Sequence, residues 1–279
     1  MPINMRRELD FPARIPSTMF VRKLNSLAII GIAGTLVSAP FARAATTVIP
    51  SSSFSSYSTF ESYWAYLYPW GSDHNGSARM KGSSTDHSNI VVASSTLSLI
   101  ATPTSNPNPP TSTSNPHPAI HYARRASHDL LFGHPANGYT ISGDFSAPTA
   151  RGTWPAFWLT AVNSWPPEVD IGEWKGTANN WFNTFNTSSI VRSDLVGWPT
   201  DLSFHSIKAV LTAQPNNSDV KIQFYMDNVL RTTQYGQAFV GKPLWLIVNL
   251  QMEGSSGSPG PTGTTTYKVR NVVVTRTGS

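Results

Sequence analysis

From Asn89 to Arg276 the chain repeats one pattern. Apolar runs of six to twelve residues alternate with clusters of Gly, Pro, Asn, Asp and Ser. The runs are NIVVAS (89–94), TLSLIAT (96–102), GYTISGDFSA (138–147), TWPAFWLT (153–160), HSIKAVLTA (205–213), VKIQFYMDNVLR (220–231), PLWLIVNLQM (243–252) and YKVRNVVVTR (267–276). Runs of this length, rich in β-branched and aromatic residues and bounded by turn formers, are strands. Asp227-Asn228 falls inside one run and marks a tight hairpin turn. No long amphipathic helix and no internal repeat is visible. Charged residues make up only 13% and aromatics 11%, with 22 Pro and 19 Gly, which suits an all-β protein.

The N-terminus reads as a targeting segment. Arg22 and Lys23 precede an apolar stretch from Leu27 to Val37, and Ala42-Arg43-Ala44 follows. This is the charged, apolar and small-residue order of a cleaved secretory signal, the alternative being a short uncleaved N-terminal anchor; Met19 is a natural start, with residues 1–18 an upstream extension or a mis-assigned start. The apolar stretch is too short to span a bilayer. Residues 1–44 hold six of the 20 Lys/Arg and two of the 15 acids, so 14 basic and 13 acidic residues remain beyond them. No basic footprint for nucleic acid survives removal of that segment. The chain has no cysteine. A secreted form therefore has no disulfide and relies on its core, for which its length is ample.

Residues 45–60 are Ser/Thr-rich and read as a flexible lead-in. Residues 61–279 read as a single β-sandwich domain. The Pro/Ser/Thr/Asn-rich stretch 102–118 is read as a surface loop rather than a linker, because residues 61–101 hold too few strands to stand alone. Two packed sheets, as a sandwich or jelly roll, follow.

The segment EVDIGEW places Glu168, Asp170 and Glu173 within six residues. In a regular strand Glu173 would point away from the other two. A β-bulge at Ile171-Gly172 would bring all three to one face, and glycine suits the backbone of such a bulge. Two carboxyl groups on one face are what retaining glycoside hydrolysis requires, one as nucleophile and one as acid/base. A third between them can share a proton with the nucleophile and, by charge crowding, keep the acid/base protonated. Trp154, Trp158 and Trp165 lie just upstream, and on their own each is as suited to the core as to a sugar-binding cleft. Asn249 and Gln251 alternate on a late strand, where they face either the cleft or another polar group on the sheet.

WPAFWL followed by PEVDIGEWKG resembles glycoside hydrolase family 16, in the bulged Glu-x-Asp-x-x-Glu version of its laminarinase-like members. YLYPWGSDHNGSARM, FHSIKAVLTAQPNNSDVKIQFYMDNVL and PLWLIVNLQMEG carry weaker similarity along the rest of the chain. The resemblance implies an all-β jelly-roll sandwich of two curved antiparallel sheets. It implies Glu168 as nucleophile, Asp170 as assisting acid, Glu173 as general acid/base, and Trp158 and Trp165 as sugar contacts. Three departures stand out. Asn186 takes the place where relatives often carry a His, which makes it a further candidate contact. The Gly254–Gly260 loop lacks the Trp of relatives. GYTISGDFSA lacks their Glu and Arg.

The expected activity is a secreted or periplasmic, retaining endo-β-glucanase acting on β-1,3 or mixed β-1,3/1,4 bonds. A galactan hydrolase or transglycosylase of the same family stays open, as do a non-catalytic carbohydrate-binding protein and a jelly-roll lyase. The expected partner is a polysaccharide, with no nucleic acid, no membrane after signal removal, no cofactor and a monomeric chain. His128, Asp129 and His134 do not form a convincing metal spacing. Asn75-Gly-Ser77, Asn186-Thr-Ser188 and Asn216-Asn-Ser218 are glycosylation sequons.

Overall fold

The computed structural model describes residues 45–70, 74–103, 116–117, 119–122, 130–131 and 138–277. The targeting segment, most of the 102–118 loop, and His128, Asp129 and His134 lie outside the described residues. In chain order the elements are β1 Thr46–Ile49, α1 Tyr57–Tyr63, β2 Trp64–Ala65, β3 Arg79–Met80, β4 Ile90–Ala93, β5 Thr96–Ala101, β6 Pro116–His117, β7 Ala119–Tyr122, β8 Leu130–Leu131 and β9 Gly138–Ser146. They continue as β10 Thr153–Ala161, β11 Glu168–Glu173, β12 Asn179–Phe185, β13 Val191–Gly197, β14 His205–Ala213, β15 Val220–Met226, β16 Val229–Gly236, β17 Pro243–Met252 and β18 Thr265–Thr277.

Two antiparallel sheets form the jelly-roll sandwich. The first runs β16-β15-β14-β9-β18-β5-β4, with β1 on β18. The second runs β13-β12-β11-β10-β17-β7-β2, with β8 on β17. Strands on both sides of the 102–118 loop share these sheets, since β5 pairs β18 and β2 pairs β7. Alternation builds the core. Val220, Ile222, Phe224 and Met226 of β15 point inward, while Lys221, Gln223 and Tyr225 do not. Leu246, Val248 and Leu250 of β17 meet them from the second sheet, which leaves Asn249 and Gln251 on the opposite, cleft face. The hairpin between β15 and β16 turns on Asp227 and Asn228, whose φ angles of 49° and 63° are those of the two-residue turn expected from the sequence.

The lead-in reading of residues 45–60 is corrected. Strand β1 pairs with β18, Thr46 opposite Arg276 and Ile49 opposite Val274. Ile49, Phe54 and Phe60 are fully buried. Ser56 caps α1 by accepting from the Thr59 N–H at 3.1 Å. The Ser/Thr composition suggested looseness, but three well-spaced apolar side chains anchor the segment, and the hydroxyls cap and pair. Among the described residues no helix is long and apolar enough to cross a membrane.

The bulge in β11 is where the fold shapes the site. Gly172 pairs with Phe157 and Asp170 with Trp158, so Ile171 is the extra residue. Ile171 and Gly172 consequently both turn to the core, and Ile171 is fully buried. Glycine is required for space rather than for its backbone angles: a Cβ on Gly172 would sit 2.9 Å from Cη2 of Trp174, and its φ is not positive. Trp174 is itself buried, edge-on to Trp198 with ring centroids 4.8 Å apart. Gly172→Ala is therefore expected to lower stability by about 1–3 kcal/mol, the cost of overpacking, as read by denaturant melts. An unchanged midpoint would show that Trp174 yields freely.

Candidate active site

Residues paired across neighbouring strands share a face. Thr160 opposes Glu168, Trp158 opposes Asp170 and Ala156 opposes Glu173, so the bulge places all three acids on the cleft face of the second sheet. They line a cleft of about 400 Å³ together with Trp154, Trp158 and Trp165.

Each tryptophan is tied by its indole N–H. Trp165 Nε1 donates to Glu168 Oε2 at 2.9 Å, and Trp154 Nε1 donates to Glu173 Oε1 at 2.8 Å. Trp158 Nε1 donates to Asn249 Oδ1 at 2.7 Å. Trp158 is buried, Trp154 is half-buried, and Trp165 is 52% exposed. The core-or-cleft alternative thus dissolves: all three stand on the cleft, at three depths. Gln251 is buried there too and donates to the His74 carbonyl at 2.8 Å, while Asn249 and Gln251 both line the cleft. His74 stacks near Trp158 with ring centroids 5.5 Å apart, and burial lowers its pKa.

Asn186 is a correction. Its Oδ1 accepts from the Gln237 N–H at 2.7 Å and its Nδ2 donates to the Tyr235 carbonyl at 3.2 Å, so it fastens β12 to the end of β16 and does not line the cleft. On β12, Phe185 lies opposite Glu168 and lines the cleft, and Asn183, opposite Asp170, is the residue that bonds the acids. Its buried Nδ2 donates at 2.8 Å to both Asp170 Oδ2 and Glu173 Oε2. Lys175 is a second cleft residue not singled out in the sequence; its Nζ lies 2.9 Å from Glu173 Oε2. Glu173 therefore gathers three side-chain donors, and its own N–H donates to Asn180 Oδ1 at 2.8 Å.

Proton affinity is raised at two of the acids. Burial, and then the charges of Glu173 and Glu168, push Asp170 well above the ordinary carboxylate range against the pull of the Asn183 amide and of Lys175. Burial pushes Glu168 up to about 7; the Trp165 hydrogen bond opposes this, the charge of Glu173 adds to it, and Lys175 opposes it. Among the described residues no cluster of His, Asp and Glu is arranged to hold a metal.

No family model matches the chain. It is 72% identical over 242 residues to a galactan endo-β-1,3-galactanase of Flammulina velutipes, covering 86% of this chain and 94% of that protein. Its fold matches the crystal structure of an endo-1,3-β-glucanase from Streptomyces sioyaensis with a TM-score of 0.59 at 18% identity, over 78% of this chain and 91% of that one. It also matches SCLam, a non-specific endo-β-1,3(4)-glucanase from family GH16, with a TM-score of 0.59 at 15% identity, over 76% of this chain and 83% of that one.

Proposed function

Because the chain belongs to glycoside hydrolase family 16 and is a glycoside hydrolase of the endo-β-1,3 type, we propose that it is a secreted, retaining enzyme that cleaves internal bonds of a β-1,3-linked galactan. The observation that carries the substrate is the 72% identity to a galactanase over nearly its whole length, against 15–18% to the glucanases that share the fold. This moves the substrate from the glucan favoured by the motif to the galactan. Residues 1–44 supply the export signal.

Glu168 attacks the anomeric carbon through Oε1 while Trp165 holds Oε2. Glu173 gives a proton to the leaving oxygen, and a glycosyl-enzyme forms on Glu168. Glu173 then takes a proton from water, which releases the sugar. Asp170, whose proton affinity burial and the two glutamates raise, takes up a proton and passes it between them as charge moves. Trp154 and Asn183 hold Glu173 in place through both turns of its role.

The test is reducing-end release from β-1,3-galactan, β-1,3-glucan and mixed-linkage glucan. Preferential release from galactan supports the reading. Preferential release from either glucan restores the glucanase reading, and no release from any of the three sinks the hydrolase.

The raised pKa of Glu168 makes a paired prediction. The nucleophile must be ionised, so kcat/KM is expected to climb with pH through an acid limb near 7. The same shift acts oppositely on stability. The folded pKa lies above the unfolded one, so stability is full below the ordinary glutamate range and is lost as pH rises through about 7. Glu168→Gln removes that loss, so its Tm should gain on the parent's between pH 4.5 and 8. A constant difference across that range would refute the assignment.

A further inference from the structure

Beyond residue 44 the chain holds 14 basic and 13 acidic residues, yet the fold sorts them by face. Glu168, Asp170 and Glu173 crowd the cleft of the second sheet, with Lys175 beside them. The outer face of the first sheet, on the other side of the sandwich, has the opposite sign. On β14 and β15 the positions that alternate with the core include Lys208, Lys221 and Tyr225, and Lys208 lies opposite Tyr225. Register carries the same face across β9 to β18. Ser206 lies opposite Asp144, Asp144 opposite Arg270, and Ser146 opposite Lys268. Lys268 and Arg270 are exposed, and Lys208 and Lys221 are half-buried. Two of the cations lie on rings: Lys208 Nζ is 4.4 Å from the centre of Tyr225, and the Arg270 guanidinium is 4.0 Å from that of Phe204. Asp144 is the acid of these rows, and it is already taken. Its Oδ2 accepts from Asn271 Nδ2 at 2.7 Å and from Arg270 Nε at 3.4 Å. Among the described residues Lys208, Lys221 and Lys268 make no ion pair. From Lys221 through Lys208 and Arg270 to Lys268 the cations form a diagonal stripe across β15, β14, β9 and β18. Strand spacing and residue rise make that stripe roughly 30 Å long.

We propose that this stripe binds an acidic polysaccharide, one that carries uronate carboxylates, and so anchors the protein while the cleft works on a neutral chain. The choice of a sugar polymer rests on the glycanase reading above. Its charge is chosen by the stripe, where four cations face one acid that is already bonded. A uronate polymer is long and repeats its carboxylates, which matches cations spread in a line rather than gathered in a pocket. Between the cations stand Ser142, Thr140, Ser98 and Thr96, whose hydroxyls suit those of a sugar chain, and Tyr225 and Phe204 supply flat faces. The three carboxyl groups of the cleft disfavour the same polymer there. It is therefore held and not cut.

The experiment measures binding of the purified protein to immobilised polygalacturonate by surface plasmon resonance. Lys208→Gln with Lys268→Gln is compared with Lys81→Gln with Lys242→Gln, which removes the same charge from loops outside these strands. The stripe pair should weaken binding roughly tenfold and the loop pair less than twofold, and about 0.5 M NaCl should abolish binding of the parent. Tm, and kcat/KM on neutral β-1,3-galactan, should match the parent's in both pairs. No binding by the parent overturns the inference, and so does an equal loss in the two pairs, which would make net charge the cause. Tighter binding to phosphatidylserine vesicles or to duplex DNA than to polygalacturonate also overturns it, since the stripe then serves a lipid surface or a nucleic acid. A parent that binds polygalacturonate through the stripe but cleaves no β-1,3-glycan upholds the anchor and removes the glycanase reading alone.

Discussion

Glu168→Gly is expected to lose kcat by about 10⁴-fold or more on polymer, and azide should restore turnover of an activated aryl β-glycoside. The anomer of the product carries the information. With the nucleophile gone, azide fills the space left by the carboxylate and attacks once, which inverts the anomeric carbon and yields an α-glycosyl azide. Glu173→Ala should behave differently. An aryl leaving group departs without a proton, so the glycosyl-enzyme still forms on Glu168, but water is no longer activated. Azide then intercepts that intermediate, and two inversions yield a β-glycosyl azide. The same anomer from both variants would mean that the roles on β11 are wrongly divided. No rescue of either would count against the covalent route itself.

Asp170→Asn should lower kcat by roughly 10²- to 10³-fold while leaving KM and Tm close to those of the parent. An asparagine is the same size, and its carbonyl can accept the Asn183 amide that now binds Asp170 Oδ2 at 2.8 Å. The fold thus loses little. The catalytic cycle loses a group that can hold a proton and return it between two glutamates, which an amide cannot do. Activity within threefold of the parent would reduce Asp170 to a spacer that keeps Glu168 and Glu173 apart.

Apart from β1, the strands of the first sheet were readable because each buries one face, as VKIQFYM does residue by residue. The acid triplet was readable because its spacing breaks strand parity, which forces a bulge or denies a site. What escaped is instructive. NNWFNTF and VRSDLVG carry strands β12 and β13 without a continuous apolar run, because one face of each looks onto the cleft or solvent. Asn183 escaped for the same reason. Its importance comes from lying opposite Asp170 on the next strand, and register between strands is not written in local spacing. Asn186 was chosen instead by alignment with a relative's histidine, three residues away and on the opposite parity. The N-terminal segment was misjudged on composition, since a Ser/Thr-rich stretch still docks when Ile49, Phe54 and Phe60 reach the core.

In the first sheet, β18 lies between β9 and β5. It is the last of the described strands to be synthesised, yet it pairs with β1, β5 and β9. Until it arrives, the early strands β4 and β5 have no hydrogen-bonded link to β9, β14, β15 and β16 in that sheet. The sheet closes as a zip whose slider is the final strand, over long sequence separations that make folding slow. A chain that still lacks β18 therefore keeps this sheet open. Shortening β18 should forfeit the whole sandwich rather than fray one edge.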